Sequence, residues 1–175
     1  MMINQINTER LTIRSTKKVD ADFCLDIWLD EEMGKYLSDP PRDKAGAIYS
    51  SWKENVEIYD GCHYMVAISK DTGAYIGTCS LVPSDDNKVW DLGYCIHKDF
   101  WKQGFASEMI SSLIEFCTVN GGEKITASVA KENIGSNAVL NKLGFRVERE
   151  GVFNKSGTSI YYDEYVYGYD LMSSK

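Results

Sequence analysis

The stretch FWKQGFASEM, residues 100–109, places small residues between an aromatic pair and the first turn of an amphipathic helix. A helix N-terminus leaves its first N–H groups unpaired and carries the positive end of the helix dipole, so it attracts anions. Gly104 and Ala106 remove the side chains that would block that approach. The main-chain amides that could then cradle a pyrophosphate are those of Lys102, Gln103, Gly104, Phe105, Ala106 and Ser107. The alternative is an ordinary turn, since the stretch matches neither GxxxxGKS/T nor GxGxxG.

The elements around this turn follow a strand, turn and helix order. The segment VWDLGYCIH, which ends at His97, predicts the strand before the turn. The helix after it carries apolar residues at helical spacing: Ala106, Met109, Ile110, Leu113, Ile114 and Cys117. Two glycines at 121 and 122 end this helix, ITASVA at 125–130 predicts another strand, and a helix near Ser136 to Leu143 ends at Gly144.

The N-terminal half supplies the rest of a sheet. RLTIR at 10–14 predicts a first strand, and Asp20 is expected to cap a short helix after it. A second helix begins at about Asp43, and two strands joined by KDTG at 70–73 follow. A terminal hairpin closes the chain. These elements predict an α/β (α+β) fold, with a single mixed sheet of about seven strands and helices on both faces.

Length and composition favour one domain, residues 1–175. With 43% hydrophobic and 26% charged residues, the chain can bury a core. Its first fifteen residues hold no apolar run of signal-peptide length, and no later stretch approaches the roughly 20 apolar residues of a membrane span. We therefore expect a cytoplasmic protein without a membrane partner.

Charge and cysteine usage exclude other classes. Nineteen basic against 26 acidic residues give a net charge of −7, which disfavours nucleic-acid binding and favours a cationic partner. Five widely spaced cysteines without a CxxC pair, and two histidines, support neither a disulfide framework nor a metal site.

Three segments together resemble the GNAT superfamily of N-acetyltransferases, and within it the ribosomal-protein N-terminal acetyltransferases. They are TERLTIR (8–14), DLGYCIHKDFWKQGFASEM (91–109) and ENIGSNAVLNKLGF (132–145). The resemblance runs from residue 8 to about residue 171, nearly the whole chain. It implies a GNAT-like sheet and acetyl-CoA as cosubstrate, with no metal.

The resemblance also implies where acetyl-CoA binds. The family pattern for the phosphate turn is Gln/Arg-x-x-Gly-x-Gly/Ala, which Gly104 and Ala106 match, whereas Trp101 departs from its first position. The strand end Cys95, Ile96 and His97 is expected to lend main-chain groups to the pantetheine arm. Asn133 resembles the residue that hydrogen-bonds that arm, and its alternative role is to cap the following helix.

The chemistry of acyl transfer adds two candidates. The attacking amine must be neutral, and a peptide α-amine of pKa about 8 loses its proton more readily than a lysine-like amine of about 10.4. Asp91 stands where this branch has an acidic residue, which implies a general base acting through water; the alternative is an exposed strand-end carboxylate. Ser136 matches a serine that could protonate the departing sulfur, and its alternative is a helix N-cap. Many relatives use a tyrosine where this chain has Leu140.

The acceptor implied by the resemblance is a primary amine. A peptide or protein N-terminus is favoured by the branch, and a small amine such as a polyamine, amino acid or antibiotic is the alternative. Aromatic residues such as Tyr36 would line the acceptor pocket, and Asp163 and Glu164 could hold a cationic acceptor. A non-catalytic CoA-binding module is a further alternative, and a homodimer is compatible with the family.

Overall fold

Eight strands form one mixed sheet within residues 5–56 and 62–171, the part of the chain that this computed structural model describes. The strands are β1 (Ile6–Asn7), β2 (Leu11–Ser15), β3 (His63–Ser69), β4 (Tyr75–Pro83), β5 (Val89–Ile96), β6 (Lys124–Ala130), β7 (Arg146–Asn154) and β8 (Tyr161–Asp170). Their order is β1-β2-β3-β4-β5-β6-β8-β7; β5 and β6 run parallel, and the other neighbours are antiparallel. The mixed sheet is confirmed, and the strand beyond the seven expected is β1, too short to show a periodic pattern.

The helices lie between the strands in the expected places. They are α1 (Ala21–Trp28), α2 (Arg42–Asn55), α3 (Phe105–Val119) and α4 (Ile134–Lys142), with short 3-10 helices at Lys18–Asp20 and Lys98–Phe100. No helix of the described ranges is both long and apolar enough to cross a membrane.

Helices cover both faces of the sheet, as predicted. The apolar stripe of α3, including Met109, Ile110 and Leu113, is fully buried in the main core with Met65 of β3. On the opposite face, the indole Nε1 of Trp28 in α1 donates to Thr78 Oγ1 at 2.9 Å. Side chains alternate along a strand, so each strand presents one set of residues to α3 and the other set to α1.

Asp20 stands at the N-cap position of α1, as expected, but its side chain makes no capping hydrogen bond to that helix. The Asp20 carboxylate is completely buried and accepts hydrogen bonds from Arg14 Nη1 (2.6 Å), Arg14 Nη2 (2.9 Å), Tyr75 Oη (2.6 Å) and Lys17 N (2.7 Å). Burial raises the pKa of Asp20, but these donors outweigh it, so the pKa lies below its ordinary value. Asp20 is therefore a core ion-pair residue that joins β2 and β4 to the start of α1.

Candidate active site

The site forms where two parallel strands separate. β5 pairs with β6 only from Val89 opposite Lys124 to Asp91 opposite Thr126, while its other edge follows β4 to Ile96. Beyond Asp91 the main-chain groups on the β6 side of β5 therefore face a gap. A cavity of about 580 Å³ opens there, lined by the end of β5, the turn before α3, the first turn of α4 and residues 32–37. Its size lies within the range of small-molecule sites.

The glycine turn forms an anion-binding type of backbone. Lys102 and Gly104 have φ angles of 60° and 83°, so both are left-handed, and α3 begins at the next residue, Phe105. Alternation of this kind turns successive N–H groups toward one concave side, and the helix dipole adds positive potential. Of the six residues predicted here, all except Gln103 line the cavity. Gln103 supports the turn instead, since its side-chain Nε2 donates to Asp99 O at 2.9 Å.

An ion pair that the sequence analysis missed braces this turn. In the first turn of α3, Glu108 accepts hydrogen bonds from Arg10 Nε (2.6 Å), Arg10 N (2.8 Å) and Thr8 Oγ1 (2.5 Å). Arg10 Nη1 also donates to the carbonyl oxygen of Gln103 at 3.0 Å, and its guanidinium lies 4.1 Å from the ring centre of Phe105. Burial alone would raise the pKa of Glu108, but the hydrogen bonds from Thr8 and Arg10 outweigh burial. The pKa of Glu108 therefore lies below its ordinary value. TERLTIR therefore contributes directly to the shape of the phosphate turn.

The end of β5 is tied to the same turn. The carbonyl oxygen of Ile96 accepts from Trp101 Nε1 at 2.7 Å, and His97 N donates to Ile76 O at 2.9 Å. Cys95 and Ile96 line the cavity, whereas His97 caps the next 3-10 helix, its Nδ1 accepting from Asp99 N at 3.3 Å. The tryptophan that departs from the family pattern thus fastens the turn to the strand.

The start of α4 forms the adjoining wall. Asn133 Oδ1 accepts from Ser136 N at 3.2 Å, so Asn133 is the N-cap and the alternative that gave this role to Ser136 is wrong. The helix starts at Ile134, two positions earlier than predicted, because the cap precedes it there. Asn133 and Ser136 both line the cavity. Tyr94, which sequence reasoning missed, also lines it and donates its hydroxyl to Ser136 O at 3.4 Å; burial raises the pKa of Tyr94 to about 12.

Asp91 lies apart from this cavity. It does not line the cavity, and it precedes Cys95 by four residues on the same strand face, a separation of roughly 13 Å. Thr126 Oγ1 donates to the Asp91 carboxylate at 2.8 Å. Although one side of Asp91 is exposed, the surrounding protein excludes enough water to raise the pKa of its carboxyl, and the Thr126 hydrogen bond opposes this shift.

The remaining wall of the cavity comes from residues 32–37, for which the sequence analysis predicted few functional roles. Glu32, Met33, Tyr36 and Leu37 line the cavity opposite the starts of α3 and α4. Of these, only Tyr36 was expected near the acceptor. Asp163 and Glu164, proposed to hold a cationic acceptor, do not line the cavity.

Comparison with known proteins identifies the fold and the family. The acetyltransferase (GNAT) domain family matches residues 10–146 of this chain. The chain belongs to the GNAT acetyltransferase family. Members of this family use acetyl-CoA, and this GNAT chain is an acyltransferase. Within residues 5–56 and 62–171, no group of three or more His, Cys, Asp or Glu side chains could hold a metal ion.

Relatives and solved structures agree with this assignment. A Bacillus licheniformis protein named uncharacterized N-acetyltransferase p20 is 33% identical over 150 residues, which cover 81% of this GNAT chain and 82% of p20. Ribosomal-protein-S5-alanine acetyltransferase from Vibrio fischeri has the same fold, with a TM-score of 0.75, 19% identity and 98% coverage of both chains. Spermidine N-acetyltransferase from Vibrio cholerae, in complex with CoA and spermine, gives a TM-score of 0.78 at 18% identity, covering 93% of this chain and 96% of that one.

Proposed function

We propose that this GNAT enzyme transfers the acetyl group of acetyl-CoA to the primary amine of a peptide or protein N-terminus. The observation that carries the proposal is the left-handed turn at Lys102 and Gly104, which opens on the cavity at the β5–β6 gap. The turn is suited to a pyrophosphate, and the adjoining gap is suited to a thin chain that leads from it.

Acetyl-CoA would be held by this chain's main-chain groups. The amides at the start of α3, from Lys102 to Ser107, take the phosphates, and the open edge of β5 takes the pantetheine arm. Asn133 supplies an amide side chain from the adjoining wall, although its Oδ1 already caps α4. The bound thioester supplies an electrophilic carbonyl, which the acceptor amine attacks directly.

Asp91 and Ser136 divide the proton transfers. Asp91 removes a proton from the acceptor ammonium through a chain of water molecules, because it does not line the cavity and a single water would not span the separation. Burial raises the pKa of Asp91, which makes it a stronger base than an ordinary aspartate. Ser136 donates a hydrogen bond to the departing sulfur from the α4 wall. A peptide α-amine suits this arrangement, since its low pKa demands only a modest base.

A small polyamine is the second candidate acceptor. Asp39, which follows the cavity wall in sequence, is half-buried, and burial raises the pKa of its carboxyl while Lys155 opposes the shift. Asp39 and Asp91 thus place two carboxylates on the side of the sheet away from α3. Such groups favour a cationic acceptor and agree with the net charge of −7.

The deciding experiment measures thiol release from acetyl-CoA with different amines. We expect higher kcat/KM for short peptides with free Ser or Ala amino termini than for spermidine. The same peptides with a blocked amino terminus are the matched control and should give no release. A higher kcat/KM for spermidine would contradict the peptide acceptor and support a polyamine acceptor instead. If no amine supports release while CoA binds measurably, the chain is a CoA-binding module and the proposal is wrong.

A further inference from the structure

Residues 30–38, here named the crossing segment, connect α1 to the approach of α2 and supply one wall of the cavity. Their conformation is set locally at the start. Asp30 Oδ1 accepts from the amides of Glu32 (2.9 Å) and Met33 (2.8 Å), and Gly34 N donates to Asp30 O at 3.0 Å. A Cβ at Gly34 would lie 2.1 Å from the carbonyl oxygen of Trp28, so only glycine fits this turn.

One end of the crossing segment is fastened to β5. Met33 O accepts from Cys95 Sγ at 3.5 Å, and Lys98 N contacts Met33 Sδ at 3.3 Å. Lys98 Nζ also pairs with Glu32 at 3.4 Å. These contacts are individually weak, because they involve sulfur or an exposed ion pair. They place Met33 over the end of β5 without fixing the residues that follow it.

The other end is fastened to the β7–β8 hairpin. Lys155 Nζ donates to the carbonyl oxygens of Gly34 (2.8 Å) and Leu37 (3.1 Å), and Ser156 N donates to Ser38 O at 2.9 Å. The Tyr36 ring packs edge-on against Tyr162 of β8, with centroids 5.4 Å apart. The crossing segment therefore spans from β5 to the hairpin, across the face of the β5–β6 gap.

The ammonium of Lys155 is an unusual means of packing a hairpin. Lys155 is only 6% exposed, and an amine taken out of water costs free energy unless it is paired and hydrogen-bonded. Burial accordingly lowers the pKa of Lys155, while the nearby Asp39 carboxylate opposes that change. An apolar side chain would fill the same space at less cost. Unlike an apolar side chain, the ammonium donates directional hydrogen bonds, and these fix the positions of two carbonyl oxygens three residues apart.

We propose that Lys155 is a positioning residue for the acceptor: its ammonium fixes Gly34 and Leu37 so that Tyr36 and Leu37 form the acceptor-side wall of the cavity. This inference rests on the proposed function. Because the cofactor turn is braced separately by Arg10 and Glu108, loss of Lys155 affects acceptor binding and leaves CoA binding intact.

The test compares Lys155→Met, Lys155→Arg and, as a control, Lys88→Met, which removes an exposed ion pair to Glu123 far along the sheet. Hydrogen exchange is measured over residues 30–38, CoA affinity by calorimetry, and kcat and KM with the wild type's preferred amine. For Lys155→Met we expect exchange in the crossing segment and the acceptor KM each to rise about tenfold, as for loss of a buried charged donor. The CoA Kd and kcat should stay near the wild-type values, and Lys155→Arg should recover most of the KM.

Other outcomes separate the two proposals. Unchanged exchange in the crossing segment overturns the inference, and so does increased exchange with an unchanged acceptor KM. Should Lys155→Met fail to fold, Lys155→Gln provides the neutral variant. If the wild type transfers acetyl to no amine, the proposed function fails, and hydrogen exchange still decides whether Lys155 holds the segment.

Discussion

The two walls of the cavity are built in different ways. The cofactor-side wall is built around one short stretch of chain, with the left-handed Gly104 and the helix that starts after it, and Arg10 braces this stretch from β1–β2. The acceptor-side wall depends on residues far away in sequence: Lys155 lies 121 positions from Gly34, and Lys98 lies 66 positions from Glu32. Changes of distant side chains such as Lys155 are therefore expected to alter the acceptor-side wall more than the backbone of the turn.

The largest effect is expected for Asp91→Asn, which tests the chemistry on the acceptor side. Because the amide cannot take the proton, kcat should fall about 100-fold, the lower end for loss of a general base. The CoA Kd should not change, because Asp91 does not line the cavity. Steady-state kinetics and calorimetry on the same preparation check both. Wild-type turnover in this variant would remove Asp91 from the mechanism.

The pH profile sharpens the same prediction. A base must be ionised, so kcat/KM falls as pH drops through its pKa. Since burial raises the pKa of Asp91, this fall should begin at a higher pH than for an ordinary aspartate of about 3.9. Asp91→Asn should remove this acid limb, while the titration of the acceptor amine remains. An acid limb that persists in the variant would assign it to another group.

Gly104→Ala should weaken the cofactor-side wall alone. At a φ of 83° an alanine is strained by about 1–2 kcal/mol, which corresponds to roughly tenfold weaker CoA binding if the turn relaxes. Gly121→Ala is the matched control, because Gly121 has a φ of 80° with open space around it at the end of α3. Both variants should lose similar thermal stability, and only Gly104→Ala should raise the CoA Kd. If Gly104→Ala and Gly121→Ala had equal CoA Kd values, the turn at Gly104 would not be part of the CoA site.

The same contrast explains what could be predicted from the sequence. The order of strands and helices, the start of α3 and the cap at Asn133 follow from apolar spacing, glycine and asparagine, which act over a few residues. The brace of Arg10 on Glu108 could not be predicted, although both residues lie in recognised motifs, because the partners are 98 positions apart. The buried hydrogen-bonding role of Asp20 could not be predicted for the same reason, since its donor Tyr75 lies 55 positions away.

Gly34→Ala should disturb the acceptor-side wall alone. Its Cβ would meet the Trp28 carbonyl oxygen at 2.1 Å, so the crossing segment must shift, at a cost of about 1–3 kcal/mol. We expect a drop in Tm of several degrees, about 2–4 °C for each kcal/mol, and a higher acceptor KM with an unchanged CoA Kd. Glu31→Ala, an exposed change in the same segment, is the control and should behave as the wild type. A rise in the CoA Kd that matched the rise in KM would mean that the two walls are not independent.

The smallest effect on kcat is expected for Ser136→Ala. Ser136 lines the cavity at the start of α4. A thiolate is a good leaving group, so losing one hydroxyl should lower kcat by about threefold, well below the 100-fold range of an essential acid. Tyr94 offers a second hydroxyl beside Ser136; this phenol is protonated at neutral pH, and burial raises its pKa to about 12. Kinetics of Ser136→Ala, Tyr94→Phe and the double variant distinguish the two donors. A double variant as fast as the wild type would show that the thiol leaves without a proton from this wall.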